Sequence, residues 1–86
     1  MVNQPPISPN QLRAARGWLG WTRGRLTLKS GISERAIARY ELGRSVPHDE
    51  TLSKLRSTLE EAGIRFHFTG KVGTGVSVDL VEADGA

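Results

Sequence analysis

Between Arg13 and Arg44 stand eight basic residues, Arg13, Arg16, Arg23, Arg25, Lys29, Arg35, Arg39 and Arg44, against only Glu34 and Glu41. The first dozen residues carry no charged side chain, and residues 45–86 hold four basic and seven acidic groups, so the net charge of +3 conceals one concentrated positive stretch. Guanidinium groups clustered in this way attract a polyanion. Nucleic acid ranks ahead of a membrane surface, because no lipid-facing apolar helix face accompanies the charge. The plainer alternative is a solvated basic face. Other chemistries find little footing. There is no cysteine, hence no disulfide, thiolate zinc site or thiol nucleophile. His48 and His67 are far apart and lack companion ligands, so no metal is expected. Gly70-Lys71-x-Gly73-x-Gly75 lacks the order of a phosphate-binding loop and leads into a strand pattern, so it reads as a turn. Trp18 and Trp21 could stack on single-stranded bases, but aromatics flanking a helix boundary fit core or dimer surface better. Neither an enzyme nor a cofactor is expected.

The elements that must carry these charges are well marked. Eighty-six residues, 37% apolar and 24% charged, suit one folded domain. No run approaches a membrane span and no signal pattern opens the chain, which leads us to expect a cytoplasmic protein. Residues 1–7, with two adjacent prolines, read as a flexible arm. Ser8, Pro9 and Gln11 make a capping box with proline at the first helical position, and Leu12, Ala15 and Leu19 repeat at helical spacing up to Gly20. A helix of about two turns follows from the Thr22 cap to Ser30-Gly31, with Leu26 inward and Leu28 a candidate either for the inner face or for an exposed contact surface. Gly24 in its first turn weakens it by up to about 1 kcal/mol relative to alanine. The third helix has Ser33 as cap, an Ile32–Ile37 staple and an Ile37/Tyr40 inner face, ending at Gly43. The fourth opens at His48-Asp49-Glu50 and presents Leu52, Leu55, Leu59 and Ala62 before Gly63. The period then shifts to two. Ile64, Phe66 and Phe68 face Val76, Val78 and Leu80 across a glycine-bearing loop at residues 69–75, a hairpin occupying 64–82, with a frayed tail at 83–86.

The second and third helices, joined by Ser30-Gly31-Ile32, have the spacing of a helix-turn-helix at about residues 22–42. Here the chain resembles the DNA-binding domains of phage repressor and Cro type, the XRE group. The matching residues are Leu12-Arg13-x-Ala15-Arg16, Leu19-Gly20-Trp21-Thr22-Arg23, Leu26, Gly31-Ile32-Ser33, Ile37, Arg39-Tyr40-Glu41-x-Gly43, Pro47 and Thr51-Leu52-x-Lys54-Leu55, extending through Leu59 to Phe66. The resemblance implies a mostly α, four-helix repressor-like domain over residues 8–63, followed by the C-terminal β-hairpin. Departures are Arg23 where the group carries a phosphate-holding glutamine, Thr27 where alanine is usual, apolar Leu28, and Ala36 in place of threonine.

The resemblance makes the third helix the recognition helix in the major groove of double-stranded DNA. Ser33, Glu34, Arg35, Ala38 and Arg39 are then the base-reading candidates: arginine forks match guanine O6 and N7, a carboxylate accepts from cytosine N4, and alanine meets a thymine methyl. The alternative for each arginine is a phosphate contact or pairing with Glu34. Phosphate contacts fall to Thr22 and Arg23 at the second helix's N-terminus and to Arg44 and Ser45 past the third. Arg16 and Glu41 occupy positions that the group pairs in a structural salt bridge. The hairpin residues Ile64, Phe66, Phe68, Val76, Val78 and Leu80 are candidates for a homodimer interface, against the alternative of a monomer with a hairpin-capped core. The expected function is a sequence-specific transcriptional regulator, a repressor on a two-fold symmetric operator. The rivals are an antitoxin-type or accessory DNA-binding protein whose hairpin holds a protein partner, and an interaction module without DNA binding.

Overall fold

The computed structural model describes residues 5–79. Four helices, α1 (Pro9–Leu19), α2 (Arg23–Ser30), α3 (Glu34–Glu41) and α4 (Asp49–Glu61), precede an antiparallel hairpin of β1 (Ile64–Thr69) and β2 (Val72–Val78). The local signals act as their chemistry dictates. Ser8 Oγ accepts from the Gln11 amide while the Gln11 side chain accepts from the Ser8 amide, closing the capping box. Thr22 and Ser33 each cap their helix by accepting from the amide three residues on, at 3.0 and 3.1 Å. His48 holds the N-cap position of α4 without a side-chain bond, and Asp49 and Glu50 supply the favourable charge there.

One core gathers Leu12 and Ala15 of α1, Leu26 of α2, Ile37 and Tyr40 of α3, Leu52, Leu55 and Leu59 of α4, and Ile64 and Phe66 of β1. Leu19, Trp21 and Ile32 pack partly buried around it. The two tryptophans therefore divide: Trp21 joins the core and Trp18 remains 65% exposed. Ile7, expected within a loose arm, is 1% exposed in the same core. Its carbonyl accepts from the Tyr40 hydroxyl, whose pKa burial pushes up. Residues 1–4 and 80–86, and with them the hairpin candidate Leu80 and the tail at 83–86, lie outside the described residues.

Two further expectations are corrected. Leu28, a candidate for the inner face of α2, is 86% exposed. Residues 69–75 are mostly strand, since β2 already begins at Val72 and only Gly70-Lys71 form the turn. The register pairs Ile64 with Val78, Phe66 with Val76 and His67 with Gly75, then slips by one so that Phe68 faces Gly73. Thr74 is the extra residue of this bulge.

The bulge is seated on α1 by Gln11. Its amide nitrogen donates to the carbonyls of His67 at 2.7 Å and Gly75 at 3.0 Å, and its oxygen is the one engaged by Ser8. A residue recruited to begin a helix thus also ties that helix to the hairpin. On the α4 side, the Arg56 guanidinium lies 5.9 and 5.2 Å from the Phe66 and Phe68 rings and pairs with Glu60. Ile64 and Phe66 are therefore spent on the chain's own core, while Phe68, Val76 and Val78 are partly buried.

Candidate nucleic-acid interface

The turn between α2 and α3 is built from Ser30, Gly31 and Ile32. Gly31 has φ of 79°, a left-handed conformation that costs a glycine nothing and other residues roughly 1 kcal/mol or more. The buried Ser30 hydroxyl accepts from the Ile32 amide at 3.1 Å, fixing where α3 starts. With Ile37 and Tyr40 turned inward, helical geometry leaves Ser33, Glu34, Arg35 and Arg39 exposed and Ala38 half-buried. Arg35 and Arg39, four residues apart, share one face of α3. The structure thus exposes four of the five base-reading candidates on α3 and its cap, with Ala38 half-buried among them and Ile32 and Ile37 packed toward the core.

Thr22 caps α2, and Arg44 and Ser45 follow α3, with Thr22 and Arg44 exposed and Ser45 half-buried. Arg25 leans over the Trp21 ring at 5.9 Å. Thr27, at the usual alanine position, is half-buried with a hydroxyl that has no partner among the described residues.

The frame that holds α3 is ionic. The Glu41 carboxylate is fully enclosed. Arg16 clamps it in a two-point fork, Nε to Oε2 at 2.6 Å and Nη2 to Oε1 at 2.7 Å, and its Nη1 donates to the Trp21 carbonyl at 2.8 Å. The expected Arg16–Glu41 pair is present. Arg23, expected on a DNA phosphate alone, also takes part: its Nε donates to Glu41 Oε1 at 3.0 Å while its side chain keeps 37% exposure. Arg13 adds a bond to the Glu41 carbonyl and another to Asn10. Burial by itself would raise the Glu41 carboxyl, but the hydrogen bonds from Arg16 and Arg23, together with their charges, outweigh it and hold the pKa below the usual glutamate value. The same bond raises Arg16 against the lowering effect of its burial. One carboxylate therefore locks α1, the head of α2 and the tail of α3 into a fixed arrangement.

Sequence reasoning missed the roles of Arg13 and Arg23 in this network and the second role of Gln11. For Arg23 no local signal existed, because Glu41 lies 18 residues away on another helix. For Gln11 none did either, because its hairpin partners lie 56 and 64 residues away.

A family model described as helix-turn-helix matches residues 12–62, more than half of the chain and the whole of α2, α3 and α4. The chain belongs to this helix-turn-helix family. Its domain is of the XRE type, that of a DNA-binding transcriptional regulator. No curated protein matches the chain. The match ends before the hairpin, so α2, α3 and the ionic frame around Glu41 lie within the matched region, while the Gln11-seated hairpin lies outside it. Among the described residues, no helix is long and apolar enough to cross a membrane, and no cluster of histidine and acidic residues could hold a metal ion.

Proposed function

We propose that the chain is a sequence-specific repressor that binds a two-fold symmetric operator as a homodimer, placing α3 in the major groove. The observation that carries this reading is the exposed strip of Ser33, Glu34, Arg35 and Arg39 beside the half-buried Ala38, on a helix pinned from behind by Glu41. Arg35 and Arg39 have the donor forks for guanine, Glu34 accepts from an exocyclic amine, and Ser33 and Ala38 supply short contacts. Thr22, Arg23, Arg44 and Ser45 flank the strip and meet phosphates, which fix register without reading sequence. Arg23 reaches a phosphate with its terminal nitrogens while its Nε stays on Glu41. A protein seated in the groove over a promoter excludes others, so repression needs no further activity from it.

The dimer draws on the hairpin. With Ile64 and Phe66 committed internally, the remaining apolar surface is Phe68, Val76 and Val78, with Val72 exposed at 63% beside them. Both outer strand edges are unpaired among the described residues, which suits pairing about a two-fold axis. Half-sites read by such a dimer are spaced by one helical turn, about 34 Å.

Selection of bound duplexes from a random pool tests the reading. A two-fold symmetric, G/C-containing consensus is expected, and recovery of unrelated sequences sinks it. Within the consensus, Arg35→Ala is expected to cost about 1–3 kcal/mol and relax the base preference at one position. Arg44→Ala is expected to weaken all duplexes alike and to reduce the salt slope by about one unit. Equal loss on every sequence from the Arg35 substitution moves that residue from bases to phosphate.

A further inference from the structure

The groove between the N-termini of α2 and α3 is lined by Arg16, Thr22, Arg23, Gly24 and Glu34. Glu34 leans across it. A methyl group on Gly24 would lie 2.9 Å from Glu34 Oε2 and 3.7 Å from its Cδ, so the carboxylate rests against the first turn of α2. Among the described residues it makes no hydrogen bond or ion pair there, and the residue is exposed. The carboxylate can therefore leave at little cost.

Its charge matters more than its bonds. Arg16 and Arg23 share the single carboxylate of Glu41, which leaves one positive charge uncompensated at the head of α2. With Glu34 seated over Gly24 the formal charges of Arg16, Arg23, Glu41 and Glu34 sum to zero without an ion pair forming to Glu34. With Glu34 swung out toward the major groove, the α2 groove is positive and suited to a backbone phosphate. A phosphate and the Glu34 carboxylate cannot share the groove cheaply, since like charges a few ångströms apart repel by about 1 kcal/mol or more. Once displaced, the carboxylate faces base edges rich in acceptors, guanine O6 and N7, adenine N7 and thymine O4. It finds a partner only at the amino groups of cytosine or adenine.

We infer that Glu34, given room by Gly24, is a specificity-determining gate: it keeps the phosphate groove of α2 neutral until its carboxylate is drawn out by a base amino group. Duplexes without that amino group meet repulsion at the backbone or an unpartnered carboxylate in the groove, so discrimination comes from penalising the wrong site as well as from rewarding the right one. Gly24 then has a reason to occupy the first turn of a short helix despite its cost. The inference rests on the proposed entry of α3 into the major groove.

The test is titration of the full chain with a random-sequence duplex and with the selected duplex, by fluorescence anisotropy at about 50 mM and 200 mM salt. Glu34→Gln keeps the side chain's length and removes its charge. It is expected to bind the random duplex more tightly, by about fivefold, and to lower the ratio of specific to random affinity. Glu61→Gln, the same charge change at the C-terminal end of α4, is expected to leave both affinities within about twofold, as a distant screened charge should. Wild-type affinity for the random duplex in Glu34→Gln overturns the gate, as does an equal gain from Glu61→Gln. Absence of wild-type binding to any duplex overturns the DNA-binding reading itself, and the gate with it.

Discussion

Arg16→Met is expected to lower the unfolding free energy by about 3 kcal/mol, near the lower end of what removing one partner from a buried ion pair costs. The reason is the imbalance it creates. Glu41 has no solvent exposure, and Arg16 supplies two of the three bonds to its carboxylate. Arg23 remains, which keeps the loss from the upper end. Replacing both partners, Arg16→Met with Glu41→Leu, is expected to recover most of the loss, because the desolvation cost of the carboxylate disappears along with its pairing. Urea unfolding at neutral pH gives both numbers. A double variant no better than Arg16→Met alone sinks this account, and so does a single-variant loss below about 1 kcal/mol, the range of exposed pairs.

The same network sets an acid limit. Glu41 is held below the usual glutamate value in the folded chain, so on acidification the unfolded chain takes up its proton first. The contribution of the pair is therefore complete above the unfolded carboxyl value and is lost as pH falls through the depressed folded value. Unfolding midpoints of the natural chain should drop along that acid limb. Those of the Arg16→Met, Glu41→Leu variant should drop less, since its Glu41 titration is gone.

What the sequence made legible is local. Ser8, Thr22 and Ser33 cap their own helices, and the Ile37–Tyr40 spacing alone decides which side of α3 faces out. That much places the candidate strip on α3. Leu28 shows a periodicity that was present and misapplied: two residues from Leu26 it lies about 200° around the helix and cannot share the buried face. Ile7 has no such signal. It sits among prolines without any period, and it is buried because Tyr40, 33 residues away, binds its carbonyl. Arg23 reads only as a phosphate contact because nothing near it in the sequence says that a carboxylate on α3 comes within 3.0 Å. The glycines of residues 69–75 were read as loop for their flexibility. Gly73 and Gly75 are strand residues, and what Gly73 provides is closeness to α1.

Gly73→Ala turns that closeness into a measurable effect. Gly73 does not have a positive φ, so alanine meets no backbone penalty there. Its methyl group would instead overlap the Gln11 amide, which is 2% exposed and has no open space to retreat into. Expelling Gln11 breaks its bonds to Ser8, His67 and Gly75, undoing half of the capping box and stripping both bulge carbonyls of that donor. At about 1 kcal/mol for each net hydrogen bond, a loss of about 3 kcal/mol is expected. Gln11→Ala breaks the same bonds and should cost a similar amount without any clash. The decisive measurement is the double variant: in a Gln11→Ala background the space is vacant, so Gly73→Ala should be nearly neutral, giving a coupling of about 2 kcal/mol or more. If Gly73→Ala is equally harmful in both backgrounds, the glycine serves the strand itself, and Gln11 is not what holds the hairpin to the helix-turn-helix domain.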